Sequence, residues 1–190
     1  MRSCLIAIVV GGAVAGSGVE MAHQLPKPHY QPQASDPAWL APVVQFHGHL
    51  GPWVVAGARF GMAGLQAVGA QGYFDVELNC AGPFANPPQS CFLDGLQVAT
   101  GATLGKRTLH WQEAEEIVVR VRNLRSGKTA ELRPTAELRR LLATLKSAPL
   151  AGSAAARSHG ERAPEAVEQM ARKVAALSDR EILSAEVLRP

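Results

Sequence analysis

A glycine-rich helix is the sequence feature that most limits how this chain can fold. Residues Trp53 to Val68 have the length and apolar periodicity of a helix, yet they include Gly57, Gly61 and Gly64. Each glycine in a helix interior costs about 1 kcal/mol relative to alanine. Such a stretch is retained where another segment of backbone packs very close to it. We therefore predict a central helix with a second element pressed against its small-residue face.

The ends of this helix are marked as well. Gly51-Pro52 places a proline at the first helical position, where no intrahelical N–H is required. Gly69 follows the last periodic residue and can take the left-handed conformation that ends many helices. The helix is thus predicted to run between these two glycines.

The other patterns predict more helices and several short strands. Further helices are predicted from Ala38, at Cys91 to Thr100, after Thr135, at Glu165 to Leu177 and after Ser178. Strands are predicted at 74–79, 109–111, 117–123 and 129–133, the last two joined by a turn at 125–128. We predict an α+β fold in which a small, mainly antiparallel sheet packs against helices, with a helical extension at the C-terminus.

Polar residues are predicted to cap four of these helices. Thr135 is the predicted cap of the helix whose apolar stripe is Leu138, Leu141, Leu142 and Leu145. Asp36 is the predicted N-cap of the first helix, with Pro37 at its first helical position. Ser90 is the predicted N-cap of the helix at Cys91, with Asp94 in a capping-box-like position. Ser178-x-x-Glu181 is a capping box at the start of the last helix.

Composition divides the chain into four parts, the first of which is residues 1–22. The α+β domain is predicted over residues 35–147, after a polar, proline-containing linker at 23–34. Residues 148–190 are predicted as an Ala- and Ser-rich linker followed by a C-terminal helical arm. The apolar stripes of that arm need a cover, which either the same subunit or a second copy can provide.

The first 22 residues have the pattern of a signal peptide. Arg2 precedes the short apolar run 4–10, and Ala13-Val14-Ala15 matches a cleavage signature. The run is too short to span a bilayer, so we predict no stable membrane span and export to the periplasm or the exterior. The alternative is a buried N-terminal strand in a cytoplasmic protein.

Composition and charge also limit the classes of protein to which this chain can belong. Of 190 residues, 47% are hydrophobic and 18% are charged, which is typical of one soluble globular domain. The net charge is only +3, and the basic residues between 120 and 140 have no interleaved aromatic residues that could stack on bases. We predict no nucleic-acid partner.

Two histidines flank Gly48 at the predicted end of the first helix. Positions i and i+2 do not face each other on a helix, but His47 and His49 can converge across a helix end where glycine takes unusual dihedral angles. Neutral imidazoles are good ligands for a borderline metal such as zinc. The alternative is that His47 caps the helix and His49 is a hydrogen-bonded core residue.

Cys91 begins the next helix that carries polar residues of interest. Asp94 and Gln97 lie one and two turns further on the same face, so one helix can present a thiolate, a carboxylate and an amide together. The alternatives are a small buried hydrophobe or, in an oxidising compartment, a Cys80–Cys91 disulfide.

The segment 101–106 is glycine-rich and ends in Lys106. It is one residue short of a Walker A loop, Arg107 stands where Ser or Thr is required, and the segment follows a helix. ATP binding is therefore excluded. Lys106 beside Arg107 either holds an anionic substrate group or forms a solvated pair.

Taken together, these motifs resemble the FmdE-like proteins, a family named after a component of formylmethanofuran dehydrogenase. That family carries His-Gly-His-x-Cys-Pro before a small-residue helix, and later Cys-x-x-Asp-x-x-Gln, Thr-Gly-x-Thr-x-Gly-Lys and a strand hairpin. The matching residues here are His47, Gly48, His49 and Pro52, then Cys91, Asp94, Gln97, Thr100, Gly101, Thr103, Gly105 and Lys106. The resemblance covers residues 46–134.

The sequence departs from the family pattern at two positions. Gly51 stands where many members have the cysteine of the first motif, and Ala102 where many have a second cysteine. Members with glycine at the first position form a branch of the family. A redox or nucleophilic role built on that first cysteine does not carry over.

The resemblance implies a commonly dimeric α+β domain with a small-molecule pocket between the His-Gly-His turn and the Cys91 helix. It also implies a divalent metal there, zinc, and an association with a molybdenum or tungsten enzyme of one-carbon metabolism. We predict the metal ligands His47, His49 and Cys91. Catalytic roles are predicted for Cys91, Asp94 and Lys106, and ligand contacts for Gln97, Thr100, Thr103 and Trp53.

These residues predict metal-polarised chemistry on a small carbonyl or carboxylate compound, with the metal as Lewis acid. A non-catalytic protein that holds a metal or cofactor for delivery to a partner enzyme is the alternative. If Cys80 and Cys91 form a structural disulfide, the protein is instead predicted to be an interaction module.

Overall fold

The computed structural model describes residues 25–147 and 164–189. The predicted signal peptide at 1–22 and the predicted linker at 148–163 lie outside the described residues. The described helices are α1 (Leu40–His47), α2 (Pro52–Val68), α3 (Cys91–Thr100), α4 (Ala136–Ser147), α5 (Pro164–Ala176) and α6 (Asp179–Ile182). The described strands are β1 (Val76–Gly82), β2 (Leu109–Glu113), β3 (Val118–Asn123), β4 (Thr129–Pro134) and β5 (Leu183–Leu188).

These five strands form one sheet in the order β2-β1-β3-β4-β5. The β1–β2 pair is parallel, and the other three pairs are antiparallel. Val121 pairs with Leu78 on one side and Ala130 on the other, and all three are fully buried. A Cβ added at Gly64 of α2 would lie 2.6 Å from a methyl carbon of Val121, so α2 covers this face. The predicted α+β fold is confirmed.

Helices α2 and α3 approach each other at backbone contact. A Cβ added at Gly57 would overlap the carbonyl oxygen of Phe92, and one added at Gly95 would overlap the carbonyl oxygen of Val54. At Gly61 an added Cβ would lie 2.8 Å from the Cβ of Ala99. The close neighbour that the sequence predicts is therefore α3 at Gly57 and Gly61, whereas Gly64 faces β3.

The first helix begins later than predicted. Helix α1 starts at Leu40, and the Asp36 carboxylate accepts hydrogen bonds from the Tyr30 hydroxyl, the Gln33 N–H and the Arg172 guanidinium instead of capping it. Hydrogen bonding by Arg172 holds the pKa of Asp36 at about 2. A partner 136 residues away in sequence thus takes the carboxylate that local chemistry assigns to the helix.

Strand β1 also begins two residues later than predicted. Asp75 is buried, and its carboxylate accepts the backbone N–H groups of Gln71 and Gly72, which closes a turn before the strand. Tyr73 within this turn has a φ of 60°. Phe74, predicted as the first residue of the strand, lies in this turn instead and is 78% exposed.

The C-terminal segment contains a strand where a second helix is predicted. The Ser178–Glu181 capping box is present, but it opens only the one-turn helix α6. The chain then pairs antiparallel with β4 over Leu183 to Leu188 and completes the sheet. The helix prediction is wrong here because an unpaired edge of β4 is available, and a single-chain pattern does not reveal such an edge.

Helix α5 packs on the same chain. Its Ala171 and Val174 are fully buried. Arg59 of α2 donates to the carbonyl oxygen of Ala175 and to the Asp179 carboxylate, so it holds the end of α5. Of the two covers that the sequence leaves open for this helix, the described residues provide the intramolecular one.

No helix within residues 25–147 or 164–189 has the length and apolar character needed to cross a bilayer.

Candidate functional site

The turn after α1 brings the two histidines together. Gly48 caps α1 with a φ of 97°, a left-handed conformation that favours glycine, and its N–H donates to the Val44 carbonyl oxygen. The Gly48 carbonyl oxygen accepts the His29 N–H at 2.7 Å. The rings of His47 and His49 lie 4.7 Å apart between centroids, at 42° to each other. The predicted convergence of the two imidazoles is therefore present.

His47 is held by Asp94 from α3. The His47 Nδ1 donates to the Asp94 carboxylate at 2.7 Å, and the His47 side chain is only 9% exposed. The other ring nitrogen, Nε2, is buried without a hydrogen-bond partner among the described residues. Asp94 thus fixes the orientation of the ring and leaves one buried nitrogen available.

The pKa of His47 reflects the same surroundings. Burial lowers the pKa of His47, but the hydrogen bond with Asp94 and the neighbouring Cys91 thiol outweigh burial and raise the pKa from 6.5 to about 9. The imidazolium form is therefore favoured at neutral pH. His47, Asp94 and Cys91 form one interacting cluster, which we call the His47 cluster.

The start of α3 is not capped as predicted. Ser90 occupies the N-cap position without a side-chain capping hydrogen bond. The N–H groups of Cys91 and Phe92 donate to the carbonyl oxygens of Pro88 and Gln89. The predicted capping box is wrong because the third residue after Ser90 is Leu93, not Asp94. The Asp94 carboxylate, one residue further on, instead makes a charge-assisted hydrogen bond to His47.

The cysteines are not linked to each other. Cys80 and Cys91 are both free thiols. Cys80 is buried in β1, and burial raises the pKa of its thiol to about 12. The alternative of a Cys80–Cys91 disulfide is thus overturned, and Cys91 keeps its sulfur for the His47 cluster.

Gln97 connects Asp94 to the loop after α3. Its amide nitrogen donates to the Asp94 carboxylate at 3.5 Å, and its amide oxygen accepts the Leu104 N–H at 3.4 Å. Both contacts are long for hydrogen bonds. Gln97 therefore lies between the His47 cluster and the Thr103–Lys106 loop.

The two predicted threonines bond within α3 and the loop that follows it. The Thr100 hydroxyl is buried, donates to the Leu96 carbonyl oxygen and accepts the Ala102 N–H. The Thr103 hydroxyl accepts the Lys106 N–H at 3.1 Å. Their roles as ligand contacts remain predictions, since both hydroxyls already stabilise the loop.

Lys106 lies beside two aromatic rings that sequence reasoning does not assign to the site. Its ammonium donates to the Gly101 carbonyl oxygen and lies 5.4 Å from the ring centroid of Tyr73 and 5.2 Å from that of Phe74. Cation–π attraction and this hydrogen bond hold the ammonium in place. The sequence signal that could have indicated this arrangement is the adjacent pair of aromatic residues before β1.

Trp53 lies in the core at the start of α2, with 8% of its surface exposed. The structure also has an apolar groove of about 190 Å³. Its lining residues are Trp39, Pro42, Val43, Ala58, Met62, Val98 and Ala99. The groove includes none of the predicted site residues, so the predicted pocket at the His-Gly-His turn stays a prediction.

The donor set of the His47 cluster fits a divalent metal in its chemistry. An imidazole whose other nitrogen is held by a carboxylate is the usual form of a metal-binding histidine, and His47 has this form together with a neighbouring thiol. Among the described residues, no three or more His, Cys, Asp or Glu side chains already have the spacing of a metal site. Joining His47, His49 and Cys91 around one ion would therefore require side-chain movement.

Comparison with known families gives a match over most of the chain. The model for "FmdE, Molybdenum formylmethanofuran dehydrogenase operon" matches residues 46–184. The chain belongs to the FmdE family. The match includes the His47 cluster and extends through α5 and α6 into β5, so the C-terminal elements are part of the family fold.

A solved FmdE-like structure has a related fold. A tungsten formylmethanofuran dehydrogenase FmdE-like protein from Syntrophus aciditrophicus superposes with a TM-score of 0.53 at 16% sequence identity. The similarity covers 80% of this chain and 71% of that one. The comparison with curated proteins gave no match.

Proposed function

We propose that this FmdE-family protein binds a divalent metal ion, zinc, at the His47 cluster. The observation that carries the proposal is the buried Nε2 of His47, which has no partner among the described residues while Nδ1 is held by Asp94. A buried polar atom without a hydrogen bond destabilises a protein by roughly 1–3 kcal/mol. A metal ion at Nε2 would remove that penalty.

Three side chains would hold the ion. His47 would bind through Nε2, and Cys91, whose thiol already influences the His47 pKa, would supply a thiolate. His49 would join after a rearrangement, since its ring is 4.7 Å from that of His47. Bound zinc supplies Lewis acidity toward the oxygen of a small carbonyl or carboxylate compound.

The surrounding residues would position these ligands. Asp94 keeps the Nδ1 proton of His47 in place, and a metal ion would displace the Nε2 proton of the imidazolium and bind the lone pair that this leaves. Gln97 contacts the second oxygen of Asp94. On this proposal Thr103 and Lys106, beyond Gln97, form a wall that accepts an anionic group, with Lys106 as the cationic member.

The alternative function is non-catalytic. A site with one well-oriented ligand, and no preset group of three among the described residues, would release a metal readily, which suits delivery of a metal or cofactor to a partner enzyme. The family favours such a partner, because its name refers to a formylmethanofuran dehydrogenase operon. We also propose that the protein forms a homodimer and is exported to the periplasm or the exterior.

Cobalt substitution tests the proposed ligand set. Cobalt(II) bound to the metal-depleted protein is expected to give the thiolate-to-cobalt charge-transfer absorption that a Cys91 ligand produces. Cys91→Ser should remove that absorption and weaken cobalt binding by more than about tenfold, since the loss of a mere hydrogen-bond partner of a metal ligand already costs about 10- to 100-fold in affinity. Cys80→Ala is the matched control, since Cys80 is a second thiol buried away in β1. An unchanged spectrum in Cys91→Ser would exclude Cys91 as a ligand.

A further inference from the structure

The chain segment before α1 contacts the turn that carries the two histidines. We call residues 26–36 of this segment the strap. The His29 N–H of the strap donates to the Gly48 carbonyl oxygen at 2.7 Å, and His29 and His49 form a parallel β-bridge. The strap therefore bonds to the backbone between the two histidines, at the peptide group that joins Gly48 to His49.

Arg172 of α5 holds the other end of the strap. Its guanidinium donates to both carboxylate oxygens of Asp36, at 2.8 and 3.2 Å, and to the Gln31 carbonyl oxygen at 3.0 Å. The Asp36 side chain is 6% exposed and that of Arg172 is 16% exposed. Tyr30, which follows His29, donates its hydroxyl to the same carboxylate at 2.7 Å. This ion pair therefore fixes the strap up to the residue beside His29.

The two histidines of the turn depend on different supports. His47 belongs to α1 and bonds to Asp94 of α3, so neither of these supports involves the strap. His49 follows Gly48, and glycine tolerates a wide range of dihedral angles. The hydrogen bond from the strap to the Gly48 carbonyl oxygen restricts the peptide group that leads to His49. Loosening the strap would therefore displace His49 more than His47.

We propose that Arg172 is a positioning residue for the proposed metal site: by holding the strap, it fixes the backbone from which His49 reaches the ion. Its effect passes through Asp36 and the strap, so Arg172 does not itself bind the ion. This inference rests on the proposed function, and it adds how the second histidine ligand is held. Groups that orient a metal ligand without touching the ion usually contribute about 10- to 100-fold to metal affinity.

Cobalt(II) binding to the metal-depleted Arg172→Gln protein tests this inference. Glutamine removes the charge and the paired hydrogen bonds to Asp36, so cobalt binding should weaken by about tenfold or more. Asp36→Asn removes the other charge of the pair and should have the same effect, which keeps the test decisive if Arg172→Gln does not fold. Arg59→Gln is the matched control, because the Arg59 guanidinium bonds to the end of α5 and to Asp179. It loosens the same helix and should leave cobalt affinity nearly unchanged.

A double substitution shows whether Arg172 acts through His49. In the His49→Gln protein the strap has no histidine ligand left to position, so adding Arg172→Gln should cause little further loss of cobalt affinity. General damage to the fold would instead weaken cobalt binding by the same factor with or without His49. An equal loss in both backgrounds would therefore overturn the inference.

The other outcomes separate this inference from the proposed function. Weaker cobalt binding in Arg172→Gln and Asp36→Asn, together with unchanged binding in Arg59→Gln, supports both. Unchanged cobalt affinity in Arg172→Gln, or a loss equal to that in Arg59→Gln, overturns the role of Arg172 and leaves the metal site standing. No cobalt bound to the unsubstituted protein overturns the metal site, and the inference falls with it.

Discussion

Gly57→Ala is expected to lower the free energy of unfolding by roughly 3 kcal/mol, near the upper end of the usual cost of overpacking a core. Alanine in an exposed helix would instead stabilise by about 1 kcal/mol relative to glycine. Here its Cβ would overlap the Phe92 carbonyl oxygen, and α2 and α3 must separate because backbone cannot move aside as a side chain does. Denaturant unfolding measures the change directly.

Gly105→Ala provides the comparison for that measurement. The added Cβ at position 105 would have only the Thr103 hydroxyl nearby, at 3.9 Å. Its unfolding free energy should stay within about 0.5 kcal/mol of the unsubstituted protein, as for most surface changes. Equal free energies of unfolding in Gly57→Ala and Gly105→Ala would contradict the close contact between α2 and α3.

The metal-depleted protein should lose up to about 3 kcal/mol of stability between pH 6.5 and pH 9, because a shift of one pKa unit corresponds to about 1.4 kcal/mol. The pKa of His47 is raised from 6.5 to about 9, so the folded state binds a proton that the unfolded state has released in this range. The stabilisation is complete below pH 6.5 and is lost as the pH approaches 9. Cys80, whose pKa burial raises from 9.0 to about 12, adds a further loss only as the pH approaches 9, where the unfolded thiol begins to ionise.

Asp94→Asn identifies the source of this pH dependence. The amide keeps the size of the side chain but removes the charge that favours the His47 imidazolium. Unfolding free energies measured across this pH range should therefore change much less in Asp94→Asn than in the unsubstituted protein. Equal pH dependence in both proteins would show that the His47–Asp94 pair is not its origin.

Much of the fold was predictable because it depends on local rules. The glycines of α2 predicted a closely packed neighbour, and the alternating residues on either side of the 125–128 turn predicted the β3–β4 hairpin. Thr135 caps α4 through its hydroxyl, as its position before an apolar stripe predicted. Each of these features is determined by residues close together in sequence.

The differences arose where distant residues compete for the same group. Asp36 bonds to Arg172 instead of capping α1. The chain after α6 extends because β4 offers an edge to pair with. In each case a long-range partner outweighs a local preference, and the sequence alone does not identify that partner.

The sequence predicted which of the candidate residues lie near one another, but not how they contact one another. The spacing around Gly48 predicted that His47 and His49 converge, and the periodicity of α3 placed Cys91, Asp94 and Gln97 on one face. The sequence could not show that His47 bonds to Asp94, or that the Lys106 ammonium lies against Tyr73 and Phe74. Those contacts depend on how α1 and the loops pack on α3.

The central claim is that His47 holds a metal ion through Nε2, and the most direct test is the zinc content of the purified protein. Elemental analysis should find about one zinc per chain in the unsubstituted protein, none in His47→Gln, and an unchanged content in His110→Gln, where an exposed histidine of β2 is replaced. No zinc in the unsubstituted protein after purification with zinc supplied, or equal zinc in His47→Gln, would contradict the account.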